Sequence, residues 1–474
     1  MATMYKTPGV YIEEIPKLPP SIAPVETAIP AFIGYTEKAK EKEDDDLIRK
    51  PIRISSMVEY DDYFGKPEKE KSITVTIDMT TDTQGNVTSL KTTAKADETK
   101  RSKHNMYYSL QMFFTNGGGP CYIVSVDKYA ALVEADMETT LDTLRKVDEP
   151  TLILFPEAQN LSLSDYNDLN EAALEQCKDL QDRFVIIDLH GGSESLNNEK
   201  ANLNTILTNF RSKTLGTKNQ KYGAVYGPNI EATLDFEYDE TQTDVVVITN
   251  GTAAAAVKMD GLKTSNNDRY EMAKAAISSM PMKMPPSGAI AGIYAAVDEE
   301  RGVWKAPANV SISKVNKPTF DITAKEQEEM NVDPTAGKSV NAIRSFPGKG
   351  TYVWGARTLA GNDNEWRYVN VRRFFIFVEE STKKAAERFV FEPNDANTWV
   401  KVQAMIENFL NTLWRQGALQ GIKPEHAFYV AVGLGKTMTP LDILEGRMII
   451  EIGLAAVRPA EFIILRFSHK MAES

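Results

Sequence analysis

The chain has 474 residues, more than a single hydrophobic core organises, so two or more domains are expected. It is 42% hydrophobic and 25% charged, as ordinary globular domains are. Its 54 basic and 66 acidic residues leave a net charge of −12, which argues against a nucleic-acid partner and against docking on anionic lipid. No apolar run reaches the length of a membrane span, and the N-terminus lacks the charged-then-apolar pattern of a secretory signal. Synthesis and folding in a reducing cytoplasm are therefore expected. Cys121 and Cys177 form no disulfide framework or metal cluster and read as buried free thiols.

Residues 1–30 carry Pro8, Pro16, Pro19, Pro20, Pro24 and Pro30, a density that prevents a helix and favours extended chain. Within them Val10, Tyr11, Ile12, Glu13 and Ile15 belong to a strand-like stretch, read as an arm rather than core. Ala31–Tyr35 is the first expected core strand, and residues 37–50 form a charged loop. Residues 72–94 alternate around a Gly85-Asn86 turn, which predicts a hairpin with a polar face, a surface ornament within an insertion at about 66–104.

From about 105 to 300, strands alternate with helices. Strands are expected at Tyr122–Val126, Leu152–Phe155, Phe184–Leu189, Gly223–Tyr226, Val245–Ile248 and Ala289–Tyr294; several are continuous apolar runs, as in buried parallel sheets. Helices are expected at 165–180, through Tyr166, Leu169, Ala173, Cys177 and Leu180, and at 197–211, through Leu203, Ile206, Leu207 and Phe210. This is an α/β layered domain. Past 340 a second, α+β domain is expected, with strands at 352–356 and Arg373–Val378, an amphipathic helix at 396–416 ended by Gly417, and a short helix within 441–456. The terminal segment Phe462, Ile463, Ile464, Leu465, Phe467 closes the chain as another sticky strand. Unpaired strands at both ends invite pairing with other molecules, so the chain reads as an assembly subunit.

Tempting catalytic motifs are incomplete. Gly433-Leu-Gly-Lys-Thr437 and Gly337-Lys-Ser339 resemble phosphate loops, but Val430 and Val332 stand where the first glycine belongs. Asp188-Leu-His190-Gly-Gly-Ser193 follows a strand, where α/β sheets place their ligands, yet Ser195 replaces the second glycine of a nucleophile elbow. The competing reading, an oligomeric α/β enzyme with its site near Asp188 and His190, rests on that position alone. The histidines His104, His190, His426 and His469 lack second ligands at metal spacing. No cofactor or metal is expected.

Taken in order, several segments resemble the contractile tail sheath proteins of myophages and of phage-tail-like contractile injection systems. They are Tyr5–Ile15, Thr27–Gly34, Phe113–Val124, Pro285–Ala295, Arg301–Asn309, Gly350–Leu359, Phe389–Asn394 and Ile452–Ile463; region 66–104 fits the pattern poorly. The resemblance implies a structural, non-enzymatic subunit of stacked six-membered rings around an inner tube. Linking arms at 1–30 and 458–474 would join subunits by strand addition, with an outer domain at 31–340 and a tube-facing domain at 341–457. Expected partners are further copies of the chain, the tube protein, baseplate and terminal cap proteins and sheath paralogues, with no membrane insertion. The polar face of helix 396–416, Lys401, Glu407, Asn408, Asn411 and Arg415, is the expected tube contact. The resemblance leaves open whether the particle is a phage, a bacteriocin or a toxin-delivering injection system.

Overall fold

The computed structural model describes residues 21–193, 199–213, 216, 218–335 and 337–466. The chain divides into two compact units: residues 26–377 with 458–474, and residues 378–457 with 1–25. Helix Val369–Ala386 spans the point of division.

The larger unit is built on a nine-stranded sheet. Its first strand, Pro30–Thr36, is buried along its whole length. It lies in parallel register between Cys121–Lys128 (Ala31 opposite Tyr122) and Leu152–Leu154 (Ala31 opposite Ile153). Phe184–Asp188, Gly223–Gly227 and Val340–Phe346 extend the parallel series. Parallel strands covered on both faces need apolar side chains on each, which explains the unbroken apolar runs. Antiparallel strands finish both edges, Ile52–Ile54 at one and Gly350–Val353 with Val310–Ser311 at the other. The sheet thus runs past residue 340, through the strand expected near Tyr352.

The Leu163–Leu180 helix starts at Ser162, whose Oγ accepts the Asp165 N–H, and buries Tyr166, Leu169, Ala173 and Cys177. Helix Glu199–Lys213 buries Leu203, Ile206, Leu207 and Phe210. Cys121 and Cys177 are free and buried, and burial pushes both thiols up.

Ala289–Tyr294, expected as a strand, lies instead in helix Ser287–Arg301. A short continuous apolar run has the same appearance in a buried helix as in a buried strand. The run is apolar all round because the helix packs closely on helix Met106–Thr115: a Cβ on Gly288 would stand 2.3 Å from the Ser109 carbonyl oxygen, and one on Gly292 2.4 Å from that of Phe113.

The 72–94 hairpin is present as Ile73–Thr81 and Val87–Ala96, with Asp82 closing the turn through the Gln84 and Asn86 N–H groups. It is not a detached ornament. Ile73–Thr81 pairs on its other side, in parallel, with Asp244–Thr249, forming a five-stranded sheet. Ile73, Val75 and Ile77 are buried, and helix Asn267–Ser278 packs on both hairpin strands. Val245–Ile248 therefore belongs to this second sheet and not to the main one.

In the smaller unit, helix Ala396–Arg415 follows Asp395, whose Oδ1 accepts the Thr398 N–H at 3.0 Å. Its buried stripe is Val402, Met405, Ile406, Phe409, Leu410 and Leu413. After Gln416 the chain turns at Gly417, where the Ala418 N–H bonds back to the Leu413 carbonyl. The helix packs on strand Phe428–Val432, which pairs antiparallel with Ile450–Leu454. Arg373–Val378, expected as a strand, is helical within Val369–Ala386: Phe374, Phe377, Val378 and Ser381 are buried at helical spacing. Of the helix expected in 441–456, only Pro440–Leu444 forms, because Gly446 turns the chain at positive φ before the Ile450–Leu454 strand.

Candidate assembly surfaces

The loops that resembled phosphate sites have their backbone donors engaged. The N–H groups of Lys436, Thr437 and Met438 all point at the Gly433 carbonyl oxygen, at 3.1–3.2 Å. The Gly337 N–H bonds Asp333, Lys338 Nζ donates to the Arg211 carbonyl, and Ser339 Oγ to that of Asn331. Asp188 is buried and caps helix Ser287–Arg301 from outside the helix, accepting the Ser287 N–H at 2.8 Å and its hydroxyl at 2.6 Å. Burial pushes its carboxyl up to about 7, against the lowering effect of those two bonds. His190 packs against Tyr166, and its Nε2 lies 3.3 Å from the Leu161 carbonyl oxygen. Asp188 is thus engaged by a helix distant in sequence, and His190 by Tyr166 and the Leu161 carbonyl.

The main sheet reverses its strand order around Pro30–Thr36, the kind of position where α/β enzymes bind ligands. Here protein side chains fill it. The fully buried Glu157 accepts the Tyr35 N–H at 3.0 Å, and a Cβ on Gly34 would meet that carboxylate at 3.0 Å. His104 stacks on Tyr129 beside it. Among the described residues no group of three or more His, Cys, Asp or Glu is arranged to hold a metal, and no helix is long and apolar enough to cross a membrane.

The unfinished surfaces lie elsewhere. The sheet of Phe428–Val432 and Ile450–Leu454 has two strands, so the outer edge of each lacks a strand among the described residues. Two strands alone are marginal in water. Helix Ala396–Arg415 supports one of them, and the Tyr429 ring lies across Gly453, where a Cβ would come within 2.1 Å of it. Tyr429 Oη donates to Glu451 at 2.5 Å.

The C-terminal arm residues Phe462, Ile463, Ile464 and Leu465 are 69–79% exposed and form no strand here. Val10, Tyr11, Ile12, Glu13, Ile15 and Phe467 lie outside the described residues. The described end of the N-terminal segment is held within the smaller unit, where the Val25 N–H donates to Ser381 Oγ and Arg388 Nη2 to the Ser21 carbonyl. On helix Ala396–Arg415, Lys401, Asn408 and Arg415 are exposed at steps of seven residues; Glu407 and Asn411 are half-buried, and Gln403 donates to Glu407. The sequence reading missed this two-stranded sheet. Its signal was the alternation in Phe428–Val432, exposed at Tyr429 and buried at Val430 and Val432.

The described residues thus give an α/β body, a small unit with a two-stranded sheet, and an exposed apolar segment at 462–465. Comparison with known proteins gives the family. Residues 361–470 match the phage tail sheath C-terminal domain. The tail sheath protein of Burkholderia phage BcepMu is 28% identical over 144 residues, covering 29% of this chain and 30% of that protein. The aligned part spans about a third or less of the curated relatives. The sheath of the extracellular contractile injection system PVC, solved in the contracted state, is 30% identical with a TM-score of 0.64, over 99% of both chains. A chain of the anti-feeding prophage (AFP) baseplate, 6-fold symmetrised, is 31% identical with a TM-score of 0.65, over 99% of this chain and 100% of that one. The chain belongs to the contractile tail sheath family and is a structural subunit of a helical, phage-tail-like assembly.

Proposed function

We propose that this subunit forms stacked six-membered rings around an inner tube, and that contraction of the stack drives the tube through a target envelope. The single observation that carries the reading is the two-stranded sheet Phe428–Val432/Ile450–Leu454, whose outer edges have no further strand among the described residues. Terminal segments of neighbouring copies, 1–30 and 458–474, would add strands to those edges, satisfying the backbone groups and knitting rings into a mesh. The 6-fold symmetry of the related AFP baseplate supports the ring number and a baseplate partner. The domain facing the tube would be 341–457, with 31–340 outside and the polar face of helix Ala396–Arg415 meeting the tube. Cap proteins and sheath paralogues complete the expected partners.

No nucleotide is needed for such a device. Two packings that differ by a few kcal/mol per subunit, summed over many subunits, are enough for a triggered collapse. Strand ladders keep neighbours joined while the arms bend.

Electron microscopy of the chain, alone and co-expressed with the tube protein, tests the reading. Hollow tubes with a regular ring repeat are expected. Chains lacking 1–20 or 459–474 should stay folded and make no tubes; tubes from either truncation would sink the arm mechanism. Lys401→Glu with Arg415→Glu should impair assembly on the tube and leave the fold intact, and unchanged assembly would place the tube contact elsewhere.

A further inference from the structure

The C-terminal segment is held firmly at one point. The Glu461 carboxylate receives Arg357 Nε at 2.9 Å on Oε1 and Arg357 Nη2 at 2.7 Å on Oε2. Asn331 Nδ2 donates to Oε1 at 2.7 Å and Tyr368 Oη to Oε2 at 3.0 Å. The Arg357 side chain is 5% exposed and that of Glu461 21%, so the fork is shielded from water. Burial alone would raise the Glu461 carboxyl; the bonds from Arg357, Asn331 and Tyr368 outweigh it and hold the group below its usual range.

The clamp is tied into the main sheet. The Arg357 N–H donates to Asn341 Oδ1 at 2.7 Å, and Asn341 Nδ2 donates to the Arg357 carbonyl at 2.8 Å and to the Val225 carbonyl at 3.1 Å. Asn341 lies opposite Tyr226, one residue on from Val225, on the neighbouring strands Val340–Phe346 and Gly223–Gly227. A pull on Glu461 is thus delivered to the most buried sheet of the molecule. One residue further on, Phe462–Leu465 is exposed and apolar. A bidentate, shielded arginine–carboxylate pair with two further donors is far stronger than an exposed ion pair.

We propose that Glu461 sets the origin of the C-terminal linking arm, so that the length available to reach a second copy of this chain is counted from Glu461, fixed to the larger unit, and not from Val457, where the smaller unit ends. Glu461 is a positioning residue, and the proposal rests on the sheath reading above. Slack added upstream of the clamp is absorbed, while slack added downstream changes the reach and register of the arm.

The test compares two insertions of Gly-Ser-Gly in the full chain, one between Ala460 and Glu461, the other between Glu461 and Phe462, with tube yield read by sedimentation and electron microscopy. The upstream insertion is expected to assemble like the parent, and the downstream insertion to lower tube yield about tenfold, the loss that follows when a buried partner is misplaced. Glu461→Gln should fall by a similar factor, about tenfold, with thermal unfolding as the check on folding. Neither insertion alters the clamp residues, so the pair decides the matter even if Glu461→Gln folds poorly. Equal behaviour of the two insertions, when deletion of 459–474 abolishes tubes, overturns the proposal alone. Tubes from that deletion overturn the arm reading and the proposal with it.

Discussion

The two units use their backbone polar groups and apolar side chains in opposite ways. In residues 26–377 the main sheet is covered, it ends at each edge in a strand of only two or three residues, Val310–Ser311 and Ile52–Ile54, and Phe32, Phe113, Phe184 and Tyr226 are buried. In residues 378–457 a sheet has only two strands among the described residues, and Val390, Phe391, Val400, Ile422, Leu441 and Leu444 are 60–102% exposed. Exposed apolar residues are common singly, and here six of them lie in one small unit.

The comparison breaks most directly in the larger unit's core. Phe32 meets Phe113 edge to face with centroids 5.5 Å apart, and both are fully buried. Phe32→Ala should cost about 3–5 kcal/mol in chemical denaturation; a loss below about 1 kcal/mol would mean this core is looser than its packing. Gly292→Ala should cost about 1–3 kcal/mol, because the new methyl pushes the helix away from the Phe113 carbonyl. An unchanged melting temperature would show that the two helices separate freely.

Asp188 sharpens the contrast through pH. Its buried carboxyl holds its proton up to about pH 7, while the unfolded carboxyl loses it near 3.8. Between those values the folded state binds more protons, so its contribution to stability falls as pH rises from about 4 to about 7, and levels off above. Asp188→Asn should flatten that slope in melting curves taken across the window; a slope kept intact in the variant would assign it to other groups. The smallest effect is expected in the smaller unit. Asp395→Ala removes a cap from helix Ala396–Arg415 and should cost about 1 kcal/mol. Hydrogen exchange should quicken in the first turn of that helix, and uniform protection would argue against the cap.

Legibility followed the uniqueness of each pattern. Helix 396–416 was readable because its stripe and its terminal glycine both specify a helix, and the hairpin because its alternation and turn specify a hairpin. Ala289–Tyr294 and Arg373–Val378 were misread as strands because short apolar runs look alike in both conformations, and each is a helix buried by neighbours distant in sequence. The partner strand of the hairpin, Asp244–Thr249, pairs with residues 170 positions earlier in the chain, so no local pattern announces that pairing. Of the candidate surfaces, the C-terminal arm and the polar face of the long helix were visible as residues, while the two-stranded sheet was not.

The sequence by itself determined the layered α/β class, the buried parallel strands, the missing first glycines of the phosphate-loop look-alikes and the ordered segments that mark the sheath family. These depend on residue type and near-neighbour spacing. Only the tertiary structure decided that Asp188 caps a helix 99 residues away, that Phe428–Val432 pairs with Ile450–Leu454, and that Arg357 grips Glu461 across 104 residues. A hydrogen bond or an unpaired edge is a relation between positions set by the folded backbone, and periodicity along the chain carries no information about which distant groups will meet.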